Sequence, residues 1–578
     1  MHRLIRLRAA IGIITLLLLP PAYAAGLPNQ VTLVPDASVA ANPVNAPQAF
    51  TVTTGGNYTV TLTDLVAPIP LSSLSVAITT ASGPAQKVTL PIQSSATGAY
   101  SATTTLTLAA GSYFAQVLAS ANQPGGTFSV VVTPVTPAGS ASVLSYHDVI
   151  AGPPVPTIGS VVQAQFTVTQ PGTYSLAAND FNFPVPLAAG TLTVIVLNDC
   201  SASPSPNCTQ VVLSNAAGAG LGMNMLPAGT YDLYAYAQAD ATAQAGLYSI
   251  VVTGGGTPVT PYSTIVPVGQ LPAGTSFSVA ASVPVSLTLA DLGAGMSPPQ
   301  GLTALPSLKA IVVEGASVLL PTVSGASGGP HAFTPGSTGT AQLFVAAVPP
   351  AGGEGAWAAW ASTGSGAGLS TLADVAEPVV DASHFGYGFS APTLAVGTYT
   401  MAVKDFGTPA PLRGQTSFVV QHSVVLATIA ATNPASVDLP FTATAVGVNL
   451  MVFPALQAVN PTDALFGVAV EPASGPNPFQ ATQAVGALFS AIPMTLGAGN
   501  YGVTLADLGF PAAFGSLELV ATLGNTEVGA VTTGGAGQSG TIPLSGAGTY
   551  TLNVLAQVGA GVHYGLYGLQ AGLVPTVT

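Results

Sequence analysis

A period of a little over one hundred residues runs through this chain, and it limits the fold more than any other feature does. One phrase reads Gly-Xaa-Tyr, then alternating residues, then Asp followed by Leu or Phe. It occurs at Gly56-Asn57-Tyr58 to Asp64-Leu65, Gly172-Thr173-Tyr174 to Asp180-Phe181, Gly397-Thr398-Tyr399 to Asp405-Phe406 and Gly499-Asn500-Tyr501 to Asp507-Leu508. A degenerate copy ends at Asp291-Leu292, and the successive Asp spacings are 116, 111, 114 and 102 residues. A second marker, Gly-Xaa-aromatic, follows each Asp by 60 to 68 residues, at Phe128, Tyr248, Trp357, Phe466 (with Ala for Gly) and Tyr567. A third Gly-Xaa-Xaa start precedes each of those aromatics, at Tyr113, Tyr231, Ala341, Asn449 and Tyr550. Three landmarks keeping step over five copies define five tandem units.

Inside each unit the pattern is β. Thr59–Thr63, Thr191–Val196 and Tyr248–Val252 are β-branched and either alternate or run apolar, and Gly, Pro, Asn and Ser clusters punctuate them every 8–12 residues. No stretch sustains the three-and-four apolar spacing of a helix. The expected fold is therefore all-β: a tandem array of five antiparallel β-sandwiches, Ig-like or jelly-roll-like, after a signal peptide. The boundaries read as 25–135, 136–255, 256–367, 368–474 and 475–578. Alternation predicts one face of each strand packed inward and the other wetted by Thr, Ser, Gln and Asn. Pro/Gly-rich joints such as Thr133–Pro137 and Gly254–Pro258 suggest a rod with limited bending.

The composition excludes several classes. Of 578 residues, 48% are hydrophobic and only 5% charged. A disordered chain is poor in apolar residues, and a nucleic-acid binder needs a basic footprint that seven Lys and Arg residues at net charge −13 do not make. Beyond residue 24 no apolar run reaches the roughly 20 residues of a membrane-spanning helix.

The first 24 residues read as an address. Arg3, Arg6 and Arg8 precede an apolar stretch, Ile11 to Leu19, and Ala22-Tyr23-Ala24 supplies small residues at a cleavage site. Without them four basic residues, Lys87, Lys309, Lys404 and Arg413, face all twenty acids, a net charge of −16. Export also favours a disulfide between the two cysteines, Cys200 and Cys208. The localisation expected is secreted or cell-surface, with periplasm and outer membrane as the alternatives.

The repeated polar residue is Asp, at positions 64, 180, 291, 405 and 507. Each ends a strand before a loop that usually holds Pro, where an Asx-turn is the expected role. A calcium ligand is the alternative, short of the several carboxylates that calcium recruits. The repeated aromatics suit core packing with Tyr hydroxyls at the rim, against a ligand-stacking platform. Trp360 has no counterpart in the other units and is the candidate ligand aromatic. Asp374, Glu377, Asp381 and His384 form the densest polar group, read as an acidic solvated linker into the fourth unit. No nucleophile elbow, zinc-binding helix or phosphate loop is present, so neither a catalytic residue nor a cofactor is expected.

The second half of each unit resembles the bacterial pre-peptidase C-terminal family of secreted β-sandwiches, most closely through Leu226-Pro227-Ala228-Gly229-Thr230-Tyr231-Asp232-Leu233-Tyr234 and Gly246-Leu247-Tyr248-Ser249-Ile250-Val251-Val252. The resemblance implies a non-catalytic accessory of the exported kind, with a role in carbohydrate or surface binding. The chain lacks that family's attached peptidase and its paired-Asp stretch.

These readings converge on a secreted, non-catalytic structural or adhesive protein. With so little charge to keep copies apart, the expected partner is itself, as a homo-oligomer or filament, or a cell-surface component or glycan. A carbohydrate-binding module, using Trp360, Tyr234 or Tyr236, is the second expectation, and an outer-membrane β-barrel the third.

Overall fold

A computed structural model of the chain describes residues 30–574 except 36–46, 69, 81–85, 91–99, 122–124, 138, 152–158, 199–209, 215–219, 255–258, 295–300, 326–328, 382, 433–435, 458–462, 510–511, 534–537 and 559–563. The signal segment, 1–24, and the proposed Cys200–Cys208 bridge lie outside the described residues. The described chain is all-β, with a single 3₁₀ turn at Gly366–Gly368.

The second unit shows the plan. Its eight strands are Gly159–Val168, Gly172–Asp180, Thr193–Asn198, Gln210–Ser214, Gly220–Leu226, Gly229–Gln238, Ala245–Gly254 and Val259–Gly269. The first, sixth, third and fourth make one antiparallel sheet in that order, and the fifth, second, seventh and eighth make the other. The two halves of a unit have thus exchanged their second strands. Every unit repeats this order, giving ten four-stranded sheets. The Gly-Xaa-Tyr phrase opens the second and sixth strands alike, as at Tyr174 and Tyr231, so the hundred-residue period is itself a doubled half-period.

Strand grouping moves the expected boundaries. Leu144–Ala151 pairs with Gly125–Pro134, Val259–Gly269 with Ala245–Gly254, Ser370–Val380 with Glu354–Thr363 and Phe479–Val485 with Ala464–Pro472. Each is the eighth strand of the unit before it, so the breaks drawn at 135, 255, 367 and 474 fall inside units. Thr133–Pro137 leads from a seventh strand to an eighth and is not a joint between domains, and its Pro content reflects a change of direction; of the other expected joint, 254–258, residues 255–258 lie outside the described residues.

Among the described residues the fifth unit has seven strands of its own, Leu488–Leu496 to Tyr564–Leu573. Its eighth is Gln30–Pro35, from the opposite end of the chain, which pairs antiparallel with Tyr564–Leu573 over Gln30↔Leu569 to Pro35↔Tyr564. The array is therefore closed on itself, and the rod expected from the sequence is not formed.

Packing follows the same cycle. Five clusters fill the sandwiches, one per unit, such as Phe166, Tyr231, Leu233 and Tyr248 in the second. Five more lie between units. They join the first to the second (Val149, Tyr234, Tyr236), the second to the third (Phe183, Leu247, Val313, Phe344) and the third to the fourth (Ala356, Ala358, Phe418, Phe453). The fourth meets the fifth through Leu465, Val520 and Leu555, and the fifth meets the first through Ala77, Phe114, Ala506, Leu508 and Leu566. Central strands are consequently buried on both faces, as along Gly229–Gln238 and Val448–Ala455. The expectation of one wetted face per sheet fails for that reason. What covers the second face is the next unit, and two-sided burial accounts for a chain so hydrophobic and so poor in charge. Each sheet is a separate four-stranded ladder with two edges, unlike the single closed ladder of an outer-membrane barrel.

Candidate functional site

The five repeated aspartates share one geometry. At the end of the second strand Asp64 Oδ1 accepts a hydrogen bond from the Val66 amide at 2.8 Å, and Oδ2 accepts one from Leu71 at 2.9 Å. Asp180 does the same with Asn182 and Leu187, Asp405 with Gly407 and Leu412, and Asp507 with Gly509 and Phe514. Asp291 takes the Gly293 amide and then reaches Leu305, because its loop is longer. One oxygen thus starts an Asx-turn and the other pins the far end of the loop. Burial pushes the Asp64 and Asp405 carboxyls above the usual range, against the pull of those amides. The residue two after the Asp takes a left-handed backbone at Val66, Asn182, Gly407 and Gly509. Gly accepts that freely, whereas a β-branched Val there costs about 1–2 kcal/mol.

Across the ladder each Asp lies opposite the marker aromatic: Asp64↔Phe128, Asp180↔Tyr248, Asp291↔Trp357, Asp405↔Phe466 and Asp507↔Tyr567. The two sequence markers are therefore one structural device, in which the aromatic fills the core beneath the clip. Five of the Gly-Xaa-Tyr tyrosines form a second device, which Tyr399 and Tyr501 do not share. Tyr58, Tyr113, Tyr174, Tyr231 and Tyr550 each donate a hydroxyl hydrogen bond to the carbonyl four residues upstream, at 2.7–3.2 Å. This is the geometry of a tyrosine corner. The constant Gly two residues before the Tyr carried the signal, and the hydroxyl partner was missing from the sequence reading.

Trp360 lies at the contact between the third and fourth units. It stacks on His422 at 4.5 Å with an interplanar angle of 15°, and its Nε1 donates to Thr371 Oγ1. Asp374 accepts hydrogen bonds from the His422 amide and from Asn449 Nδ2. Asp374 and Glu377 belong to the strand Ser370–Val380, so the stretch read as a solvated linker is the eighth strand of the third unit. Burial raises both carboxyls, with His422 pulling Asp374 the other way. Asp381 and His384 form a separate pair at 2.7 Å, and that contact with Ser383 holds the Asp381 carboxyl well below its usual range. The first and second units meet around a buried pair, His147 Nε2 and Asp232 Oδ2 at 2.8 Å, beside Tyr234 and Tyr236, whose hydroxyls burial pushes up. Tyr234 and Tyr236 are fully buried, which removes them as ligand platforms. Among the described residues no group of three or more His, Cys, Asp and Glu side chains is placed to hold a metal.

Polarity is unequal between the two ends of the array. In every unit the turns after the first, third, fifth and seventh strands share one end. Of the large hydrophobic side chains exposed among the described residues, all but Val348 lie on those turns or at the strand ends beside them. They include Val283 and Val396 after first strands, Val318, Val424 and Leu523 at third-to-fourth hairpins, Met225 near the end of a fifth strand and Val446 after one, Leu369 between a seventh and an eighth strand, and Leu573 at a seventh-strand end. The opposite end carries the five aspartate clips.

Fold and contacts together define a closed cycle of five tandem β-sandwich units. No family model matches the chain, and no curated protein matches it. Solved structures that share some likeness include the α-2-macroglobulin of Salmonella reacted with methylamine, at 12% identity and a TM-score of 0.11 over 96% of this chain. The trypsin-activated α-2-macroglobulin of Escherichia coli stands at 11% identity and a TM-score of 0.09 over 94% of it. The chain spans 40% and 49% of those two proteins.

Proposed function

We propose that the chain is an exported, non-catalytic structural or adhesive protein that works by applying one end of a closed ring to a surface. The observation that carries this reading is the gathering of exposed apolar side chains on the turns at one end. Soluble proteins bury such groups or use them for contact. The chemistry-bearing residues support it from the other side. The aspartates pin loops, Trp360 is engaged with His422, and the buried His147–Asp232 pair lies between units. The resemblance of the second half-units to secreted accessory β-sandwiches, and the basic and apolar opening segment, support export.

Adsorption of the mature protein to an apolar sensor surface tests the reading. The triple variant Val396→Ser, Val424→Ser, Val446→Ser should bind several-fold less than wild type. Val348→Ser, at the other end, should bind as wild type does. Equal adsorption of wild type and the triple variant would refute the apolar end as the contact surface.

A further inference from the structure

The strand that completes the fifth unit differs from its four counterparts. Each of those follows the seventh strand of its own unit through a connection of a few residues, whereas Gln30–Pro35 is joined covalently to the first unit. Among the described residues its ladder has six residue pairs, against eight, nine, ten and seven. It lies at a sheet edge, so its departure uncovers one row of donors and acceptors on Tyr564–Leu573 and leaves that strand's other ladder, to Gly499–Asp507, intact. An uncovered edge of this kind is a template for an added strand. The sequence Gln-Val-Thr-Leu-Val-Pro carries no charge to discourage intermolecular pairing.

We propose that this edge is a strand-acceptor site with an exchangeable occupant, and that the N-terminal strand of a second copy completes the fifth unit, linking rings through swapped strands. The partner chemistry is fixed by the site: a six-residue extended segment, in register from Gln30↔Leu569 to Pro35↔Tyr564. Twelve residues separate Pro35 from Gln48, enough to span about 40 Å when extended. The same tether gives the chain's own strand an effective concentration in the millimolar range, so closed monomers dominate in dilute solution. Exchange grows where copies are crowded, as on a surface. This inference does not depend on the apolar end, because the acceptor register, Tyr564 to Leu569, contains none of its exposed side chains.

Two full-length chains, both carrying Cys200→Ser and Cys208→Ser, provide the test. One has Val31→Cys and the other Gly568→Cys, residues that face each other across the ladder. After co-incubation at high concentration and mild oxidation, a disulfide-linked heterodimer should form. Its yield should rise with protein concentration to at least tenfold above either chain alone. Heterodimer at the level of those controls at every concentration would overturn the proposal. A second measurement needs no cysteine: wild-type chains of natural and ¹⁵N composition are mixed and weighed by native mass spectrometry. Mixed-mass dimers that vanish when both copies carry Thr32→Pro and Leu33→Pro support exchange. Alternate residues of an edge strand donate inward, so substituting both removes a ladder donor in either phase. Mixed dimers that persist in the proline variant, or none at any concentration, would overturn it.

Discussion

The contact between the third and fourth units and the contact that closes the cycle, fifth to first, are built on equivalent faces yet secured differently. The former joins neighbours in sequence, so its two sides are held near each other by a connection of a few residues, Val380 to Tyr387. It adds a polar clamp of Asp374, His422 and Asn449 and a Trp360–His422 stack to its apolar cluster. The latter brings together segments about 390 to 490 residues apart, and its cluster is apolar: Ala77, Phe114, Ala506, Leu508 and Leu566. Closing so long a loop costs more entropy than docking a neighbour, and here the borrowed strand Gln30–Pro35 supplies the added bonding. The lesson is that where the chain itself supplies proximity, side-chain contacts join the units. Where it does not, the ordinary eighth strand is taken from the far end of the chain, so that a ladder also bridges the contact.

Phe418→Ala should produce the largest change, because Phe418 and Phe453 are fully buried and meet edge to face at 5.7 Å between the third and fourth units. A loss of about 3–5 kcal/mol is expected, read by denaturant unfolding. Phe114→Ala, at the closing contact, should cost less, because that ring retains some exposure. If the two costs are reversed, the ranking of the contacts is wrong.

Thr32→Pro with Leu33→Pro comes next, at about 1–3 kcal/mol for the ladder bonding removed, confined to the closure. Hydrogen exchange should accelerate along Tyr564–Leu573, while protection along Ser370–Val380 stays as in wild type. Matching acceleration in both strands would mean that closure and the third-to-fourth contact open as one.

His422→Ala removes the stack on Trp360, worth about 0.5–1.5 kcal/mol. Tryptophan emission should shift as Trp360 gains water, because the other tryptophan, Trp357, is buried in the third core. An unchanged spectrum would contradict the stack.

Acidification should affect one contact and not the other. Asp374 and Glu377 have carboxyls raised by burial. Their contribution is fullest below the ordinary carboxylate range and is lost as pH rises through the raised values. The third-to-fourth contact should therefore tighten as pH falls from 7 through about 5 towards the ordinary carboxylate range. The apolar closing cluster should not respond in that window. Site-resolved hydrogen exchange at the two pH values, corrected for intrinsic rate, reads the difference, and a weaker third-to-fourth contact at pH 5 would reverse the assignment.

The five-unit period was legible because the Asp clip and the Gly-Xaa-Tyr corner impose residue types that recur wherever the backbone bond recurs. The halving of each unit was hidden, since the copies at Ala341 and Asn449 have lost the Tyr and only the ladder shows that sixth strands match second strands. Unit boundaries were misplaced because Pro and Gly mark any change of direction, inside a unit as well as between units. Two-sided burial was masked by small residues: Ala356, Ala358 and Ala376 let the fourth unit approach closely, yet in a sequence they read as neutral. The closing strand was illegible for a different reason. Gln30–Pro35 is an ordinary alternating strand whose partner lies at the far end of the chain, and no local pattern encodes so distant a pairing.

Single-particle electron microscopy of the mature chain tests the central claim, closure, most directly. The account predicts a continuous ring of five lobes in which no gap separates the first lobe from the fifth. An open arc or an extended string of lobes would contradict it.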